Sequence, residues 1–350
     1  MGNRIPVGIL GATGTVGQRY IQLMEHHPWF EVAWLAASER STGKTYAEAC
    51  KWKLDTPMPA RIAAMPLTAA VPDSAPRVVF ASVDAAFAQE IEPQFAAAGK
   101  IIITNSSAFR MHPNVPLIIP EVNADHLPML ETQTWFKQNR GCIVANGNCT
   151  AIGLILPIAP LHQRFGLDKV FVVSMQAISG AGYPGVASLD ILGNVVPYIA
   201  KEEEKLEEEA HKMLGSCANG QVTKAEFSLS ASCNRVAVLD GHTESVSVKL
   251  RKKATTDEII DTFAEFRGQT AGLNLPSAPA QVVHYDSAPD RPQPRLDVNR
   301  GNGMTASVGR LRPCNLLDWK FTVLTHNVIR GAAGAALLNG ELMKVKGYLD

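Results

Sequence analysis

Val7-Gly-Ile-Leu-Gly11-Ala-Thr13-Gly14-Thr15-Val16-Gly17 is a short apolar run that enters a glycine-rich turn and leaves it as a helix. Val16, Tyr20, Leu23 and Met24 keep helical spacing, and Pro28 closes the stretch. Strand, glycine turn and helix, in that order, are the setting in which a backbone meets a dinucleotide pyrophosphate. Small residues let the chain close on the phosphates, and the helix N-terminus aims free N–H groups at their charge. The spacing is G-x-x-G-x-x-G, a variant of the usual fingerprint, and a tight strand-to-helix turn would ask for the same glycines. Its place directly after the first strand favours a cofactor site formed by Gly11, Thr13, Gly14, Thr15 and Val16.

Outward from this turn the alternation continues. Residues 32–37, 78–81 and 101–104 are further apolar runs, and residues 85–98 read as helix ending at Gly99. Pro93 is expected to split that helix into two short ones. Strands alternating with helices imply a parallel sheet with right-handed crossovers, hence a doubly wound, Rossmann-like α/β domain. The end of its second strand, Ala36-Ala-Ser38-Glu39-Arg40-Ser41, bears on which nicotinamide is bound. An NAD site places a carboxylate there for the ribose 2′-hydroxyl, a role open to Glu39. Ser38, Arg40 and Ser41 form a set that fits a 2′-phosphate, with the arginine fork as its main donor. The balance favours NADP.

Past residue 150 the texture changes. Residues 170–176, 245–250, 282–285, 305–311 and 320–325 read as strands without a helix between each pair, which indicates a mixed or antiparallel sheet. Residues 202–214 and 256–266 read as helices, the second opened by Thr255 or Thr256 with Glu258 soon after. Residues 276–294 are proline-rich loop around one short strand, and residues 327–348 form a closing small-residue helix. The fold expected is an N-terminal NADP-binding domain, residues 1–149, completed by residues 327–350, and a mixed α+β catalytic and dimerisation domain, residues 150–326.

Composition narrows the function. The 350 residues carry 33 Lys+Arg and 33 Asp+Glu, so no basic surplus draws the chain to nucleic acid or anionic lipid. Apolar runs such as residues 151–159 fall far short of a membrane span, and no signal peptide is expected at MGNRIPVGIL. Met1-Gly2 lacks the Ser or Thr that myristoylation wants at position 6, which is Pro6. Six cysteines without a C-x-x-C pair indicate neither a disulfide framework nor zinc, and no metal is expected. One of them stands apart. In Asn146-Gly-Asn148-Cys149-Thr-Ala-Ile, Cys149 opens an apolar helix (residues 152–156, then Pro157). There the helix dipole favours a thiolate, which makes Cys149 a candidate nucleophile.

GATGTVG (11–17), SSAFRM (106–111), NGNCT (146–150), SGAGYPG (179–185), EEEK (202–205), CNRVAVLDGHTESV (233–246) and HNVIRGAAG (326–334) follow one another along the chain. Together they resemble aspartate-semialdehyde dehydrogenases, in particular the archaeal and fungal branch. The resemblance implies that Cys149 is the nucleophile, His242 the general acid/base with a pKa near working pH, and Gln176 an orienting residue. It further implies that Arg110 and Lys205 meet phosphate, Glu202 the substrate ammonium and Arg235 its carboxylate, with Asn148 beside them. Ser179 and Gly180 would lie near the cofactor and Asn327 near the nicotinamide carboxamide. Without the resemblance, Glu202–Glu204 and Lys205 read as the solvated first turn of a helix.

The activity implied is NADPH-dependent reduction of β-aspartyl phosphate to aspartate semialdehyde and phosphate, through a cysteine thioester, in lysine, methionine and threonine biosynthesis. A cytoplasmic homodimer or homotetramer is implied with it. Glyceraldehyde-3-phosphate dehydrogenase shares the cysteine logic but carries a histidine about where Gln176 stands. Malonyl-CoA reductase is a nearer alternative, expected to lack EEEK and CNRV because a CoA thioester offers no ammonium. A non-catalytic NADP-binding protein would have little reason to keep Cys149, His242 and Gln176 together.

Overall fold

Ile5–Leu10 is the hub of the first sheet in the computed structural model, which describes residues 4–349. The Met1-Gly2 start lies outside the described residues. This strand, β1, is followed by β2 (Phe30–Ala36), β3 (Val78–Ala81), β4 (Ile101–Thr104), β5 (Leu117–Ile118) and β6 (Cys142–Asn146). Their spatial order is β2-β1-β3-β4-β6-β5, and every pairing is parallel. β3, β4 and β6 are buried along their whole length, as uninterrupted apolar runs covered on both faces must be. Helices α1 (Thr15–Met24) and α2 (Ala85–Ala97) follow β1 and β3.

Pro93 does not split α2. Ala88, Ile91, Phe95 and Ala96 stay buried along the helix on both sides of the proline. Gln89, whose carbonyl Pro93 cannot serve, is solvent-exposed, so the missing hydrogen bond is offset by water.

The second sheet contains β7 (Leu167–Gln176), β10 (Ser228–Arg235), β11 (His242–Leu250), β12 (Val283–Asp286), β13 (Ala306–Pro313) and β14 (Trp319–Thr325); β8 (Ser216–Ala218) and β9 (Gln221–Thr223) form a separate hairpin. The order β10-β7-β11-β14-β13-β12 is mixed, parallel at both edges and antiparallel in the middle. β10 escapes a reading by alternation because Ser-Leu-Ser-Ala-Ser-Cys-Asn-Arg is small and half-exposed. It nevertheless delivers Arg235 directly opposite Gln176 of β7.

Against the second sheet packs α3 (Cys149–Phe165), 17 residues that run through Pro157 and Pro160 rather than stopping at the first. Thirteen of the 17 are buried, and packing on that scale outweighs the ~3 kcal/mol an interior proline costs. Helix α4 (Glu202–Met213) packs against α3 and β10, while α5 (Thr256–Glu265) begins with a complete capping box between Thr255 and Glu258. The closing segment opens as a π-helical turn, Ile329–Ala333, and continues as α6 (Gly334–Val345). There Gly340 lets the helix close on Phe80 and Ile103 of the first sheet. No helix among the described residues is long and apolar enough to cross a membrane.

Candidate active site

β6 ends at Asn146, and two residues later Asn148 caps α3, its Oδ1 accepting from the N–H groups of Thr150 (2.9 Å) and Ala151 (3.0 Å). Cys149 is thereby fixed as the first residue of the helix. Its Sγ lies 3.2 Å from Nε2 of His242, the first residue of β11. The ring is held from behind, since His242 Nδ1 accepts the Ala177 N–H at 3.1 Å. A neutral imidazole that accepts at Nδ1 carries its proton on Nε2, so a donor faces the sulfur. Two glycines make this approach possible. A Cβ on Gly331 would sit 2.5 Å from the Cys149 Cβ, and one on Gly180 would sit 2.9 Å from an Arg235 guanidinium nitrogen. In sequence Gly331 reads only as part of a small-residue packing helix, Gly-Ala-Ala-Gly.

The electrostatics correct two sequence expectations. Burial pushes the Cys149 thiol up to about 12 and Glu202 adds to the push, against the opposing charges of Arg110 and Arg235. Burial, then the charges of Arg235 and His326, hold His242 down to about 3 instead of near working pH. In this arrangement thiol and neutral imidazole are the stable pair. Two of the N–H groups at the start of the helix are taken up by the Asn148 cap. Cys149 keeps partial exposure, on the side that opens to a cleft.

That cleft, of about 620 Å³, gathers most of the residues singled out by sequence. Cys149, Gln176, Arg110, Asn148, Glu202, Lys205, Arg235, Ser179, Gly180, Asn327, Thr15 and Val16 all line it, and His242 stands behind Cys149. Glu202 is 6% exposed, and its Oε1 accepts from Asn148 Nδ2 (2.9 Å), Gln176 Nε2 (3.2 Å) and Thr150 Oγ1 (3.3 Å). Its other oxygen is 3.7 Å from Lys205 Nζ. Glu203 instead accepts from the Cys233 N–H, and Glu204 is exposed, so only the first glutamate of the three faces the cleft. Arg235 donates from Nη1 to the Ala177 carbonyl (2.7 Å); Arg110 donates from Nη2 to the Asn105 carbonyl (2.6 Å), and its Nε is buried without a partner. Asn327 spends its amide on the protein, accepting from Gly241 N–H and donating to Ser179 Oγ, both at 2.8 Å. Asn105, Ser106 and Ser107 also line the cleft; sequence had marked only their neighbour Arg110.

At the cofactor end, Gly11 has φ +84°, and a Cβ there would strike the Ser82 carbonyl at 2.2 Å. At Gly14, by contrast, a Cβ would meet nothing closer than 3.4 Å, so the turn is open on that side. No side chain caps α1, which leaves its first N–H groups free beside Thr15 and Val16. An uncapped helix start behind an open glycine turn fits a pyrophosphate. Thr13 belongs to the same turn, its carbonyl tied to Gln18 Nε2. Ser38, Arg40 and Ser41 do not line the cleft; they lie past the end of β2, next to the glycine turn through the Ala36 carbonyl. Among the described residues no cluster of three or more His, Cys, Asp or Glu is arranged to hold a metal.

A doubly wound parallel sheet joined to a mixed sheet, with one cleft running from the glycine turn to the second sheet, is the architecture of a two-domain dehydrogenase. Two family models match in tandem: "Semialdehyde dehydrogenase, NAD binding domain" over residues 6–129 and "Semialdehyde dehydrogenase, dimerisation domain" over residues 158–330. The chain is 48% identical to an aspartate-semialdehyde dehydrogenase of Schizosaccharomyces pombe, over 98% of this chain and 99% of that one. It is 46% identical to one of Archaeoglobus fulgidus, over 97% and 98% respectively. A crystal structure of the Candida albicans aspartate-semialdehyde dehydrogenase with NADP superposes with a TM-score of 0.91 at 40% identity, covering 98% of this chain and 99% of that chain. The chain belongs to the aspartate-semialdehyde dehydrogenase family.

Proposed function

We propose that this chain reduces β-aspartyl phosphate to aspartate semialdehyde and phosphate with NADPH, reversibly, through a thioester on Cys149. The observation that carries the reading is the 3.2 Å approach of His242 Nε2 to Cys149 Sγ at the wall of the cleft. In the reductive direction the sulfur attacks the acyl carbon as the thiol proton passes to the departing phosphate; the S–C bond forms, the C–O bond to phosphate breaks, and phosphate leaves carrying that proton. The nicotinamide, when bound, supplies the hydride that reduces the thioester. The Nε2–H of His242 stabilises the oxygen that becomes negative at that carbon, and the semialdehyde leaves as the sulfur departs. Arg235 takes the substrate carboxylate, Glu202 its ammonium, and Arg110 with Lys205 the phosphate; Gln176 and Asn148 hold Glu202 in place. The glycine turn and α1 take the pyrophosphate, with Ser38, Arg40 and Ser41 at the 2′-phosphate and Ser179, Gly180 and Asn327 towards the nicotinamide.

Residues 1–149, completed by 327–350, form the cofactor unit in this reading, and residues 150–326 the catalytic and dimerisation unit. The dimerisation-domain match supports an oligomer. A homodimer or homotetramer is supported by the exposed apolar side chains Leu189 (94%), Leu192 (70%) and Tyr198 (69%), which a partner copy would cover. The setting is cytoplasmic, in the synthesis of lysine, methionine and threonine.

The test is a matrix of aspartate semialdehyde or malonyl-CoA, with or without phosphate, against NADP(H) or NAD(H). Phosphate-dependent oxidation of the semialdehyde with NADP is expected. Arg40→Ala should weaken NADP by roughly ten- to a hundredfold, the value of a charge-assisted hydrogen bond, and leave NAD nearly unchanged. Turnover of malonyl-CoA in place of the semialdehyde would overturn the substrate assignment, and equal losses for both cofactors would remove Arg40 from the cofactor site.

A further inference from the structure

Two turns along α4 from Glu202, on the same helix face, Glu209 is 1% exposed. Its Oε1 accepts from Arg110 Nη1 at 2.9 Å, and its Oε2 accepts from the backbone N–H of Asn148 at 2.6 Å. One carboxylate therefore touches both the arginine assigned to phosphate and the residue that caps the nucleophile's helix. One turn further, Lys212 is 4% exposed and donates to the carbonyls of Arg110 (2.7 Å), His112 (2.9 Å) and Val115 (2.8 Å). A single helix face thus ties the arginine loop to the Asn148–Cys149 turn. In sequence residues 202–214 read as a charge-rich helix, and nothing in its spacing marks Glu209.

We propose that Glu209 is a positioning residue that couples phosphate occupancy at Arg110 to the alignment of Cys149. The inference rests on the reading of Arg110 as a phosphate contact. Arg110 commits Nη1 to Glu209 and Nη2 to Asn105, while its Nε is buried without a partner. An anion arriving at the uncommitted part of the guanidinium competes with Glu209 for the same positive charge. Any change in the grip of Glu209 is felt at the Asn148 N–H, one residue before the sulfur. Only a carboxylate serves both donors. In Glu209→Gln one end of the side chain is itself an N–H donor, so one of the two contacts must fail. In Glu209→Asp the side chain is a methylene too short to reach both.

The test compares the parent with Glu209→Gln and Glu209→Asp in phosphate KM, semialdehyde KM, and the rate at which iodoacetamide alkylates Cys149 with NADP present, with and without inorganic phosphate. In the parent, phosphate should change the alkylation rate severalfold. In both variants that response should vanish and the phosphate KM should rise about tenfold or more, with the semialdehyde KM within about twofold of the parent. A folded variant with parental phosphate KM and parental phosphate response would overturn the coupling. Should neither variant fold, amide exchange in residues 146–151 of the parent decides: phosphate must alter protection there, and unchanged exchange overturns the proposal. Arg110→Lys separates the underlying reading. If it leaves the phosphate KM of the parent untouched, the assignment of Arg110 fails and the coupling falls with it.

Discussion

Cys149 is placed by three contacts: the Ala177 N–H that fixes the His242 ring, the missing Cβ of Gly331, and the side-chain cap supplied by Asn148. Reactivity and resting ionisation are different properties here. Burial pushes the free thiol up to about 12, so the thiolate is scarce at neutral pH and becomes tenfold commoner with each pH unit. Alkylation of Cys149 by iodoacetamide in the enzyme without ligands should rise without a plateau from pH 7 to about 10; a plateau near pH 7 would mean that the helix dipole and Arg235 outweigh desolvation after all. The histidine makes a matching prediction. With its conjugate acid held down to about 3, His242 takes up no proton between pH 8 and 5, and kcat/KM should show no acid limb near the ordinary histidine value of about 6.5. Such a limb, lost in His242→Asn, would contradict the buried neutral ring.

Among the elements, α2 carries a group whose ionisation opposes folding. Glu92 is 0% exposed, Thr104 Oγ1 donates to its Oε1 at 2.5 Å, and its Oε2 has no partner. Burial pushes this carboxyl up to about 7. Between the unfolded pKa and that value the unfolded chain loses a proton that the folded chain keeps, so stability falls as pH rises, by up to about 3 kcal/mol. Glu92→Gln should therefore raise Tm relative to the parent at pH 8 and change it little at pH 4. A variant no more stable than the parent at pH 8 would show that Glu92 folds without that penalty. Legibility in sequence also varied by element. Parallel strands buried on both faces were plain, since Val-Val-Phe-Ala and Ile-Ile-Ile-Thr leave few other readings. β10 was not, because its small polar residues lie half-exposed at a sheet edge. The run of α3 through Pro157 is not legible, because the burial that offsets the proline comes from distant segments. On α4 only Glu202 is legible, and only through the resemblance; Glu209 is not, since both point inward from a run of charge that normally faces water.

For the whole molecule, the central feature is a junction. α3 starts at the end of the first sheet and packs along the second, so Cys149 sits in the cleft that Thr15 and Val16 of the glycine turn and the side chains of Arg110 and Arg235 also line. Arg330 and Glu121, both fully buried, lock the closing segment to the first sheet side with two hydrogen bonds of 2.9 and 2.7 Å. In the oxidative direction the proposed chemistry proceeds through an enzyme-bound thioester that phosphate releases as the acyl phosphate. The most direct measurement is a rapid-mixing experiment with aspartate semialdehyde and NADP in the absence of phosphate. A burst of NADPH equal to the number of active sites, followed by near-arrest, is expected; adding phosphate should then start steady turnover, and Cys149→Ser should give no burst. Steady turnover without phosphate, or a full burst from the serine variant, would contradict the account.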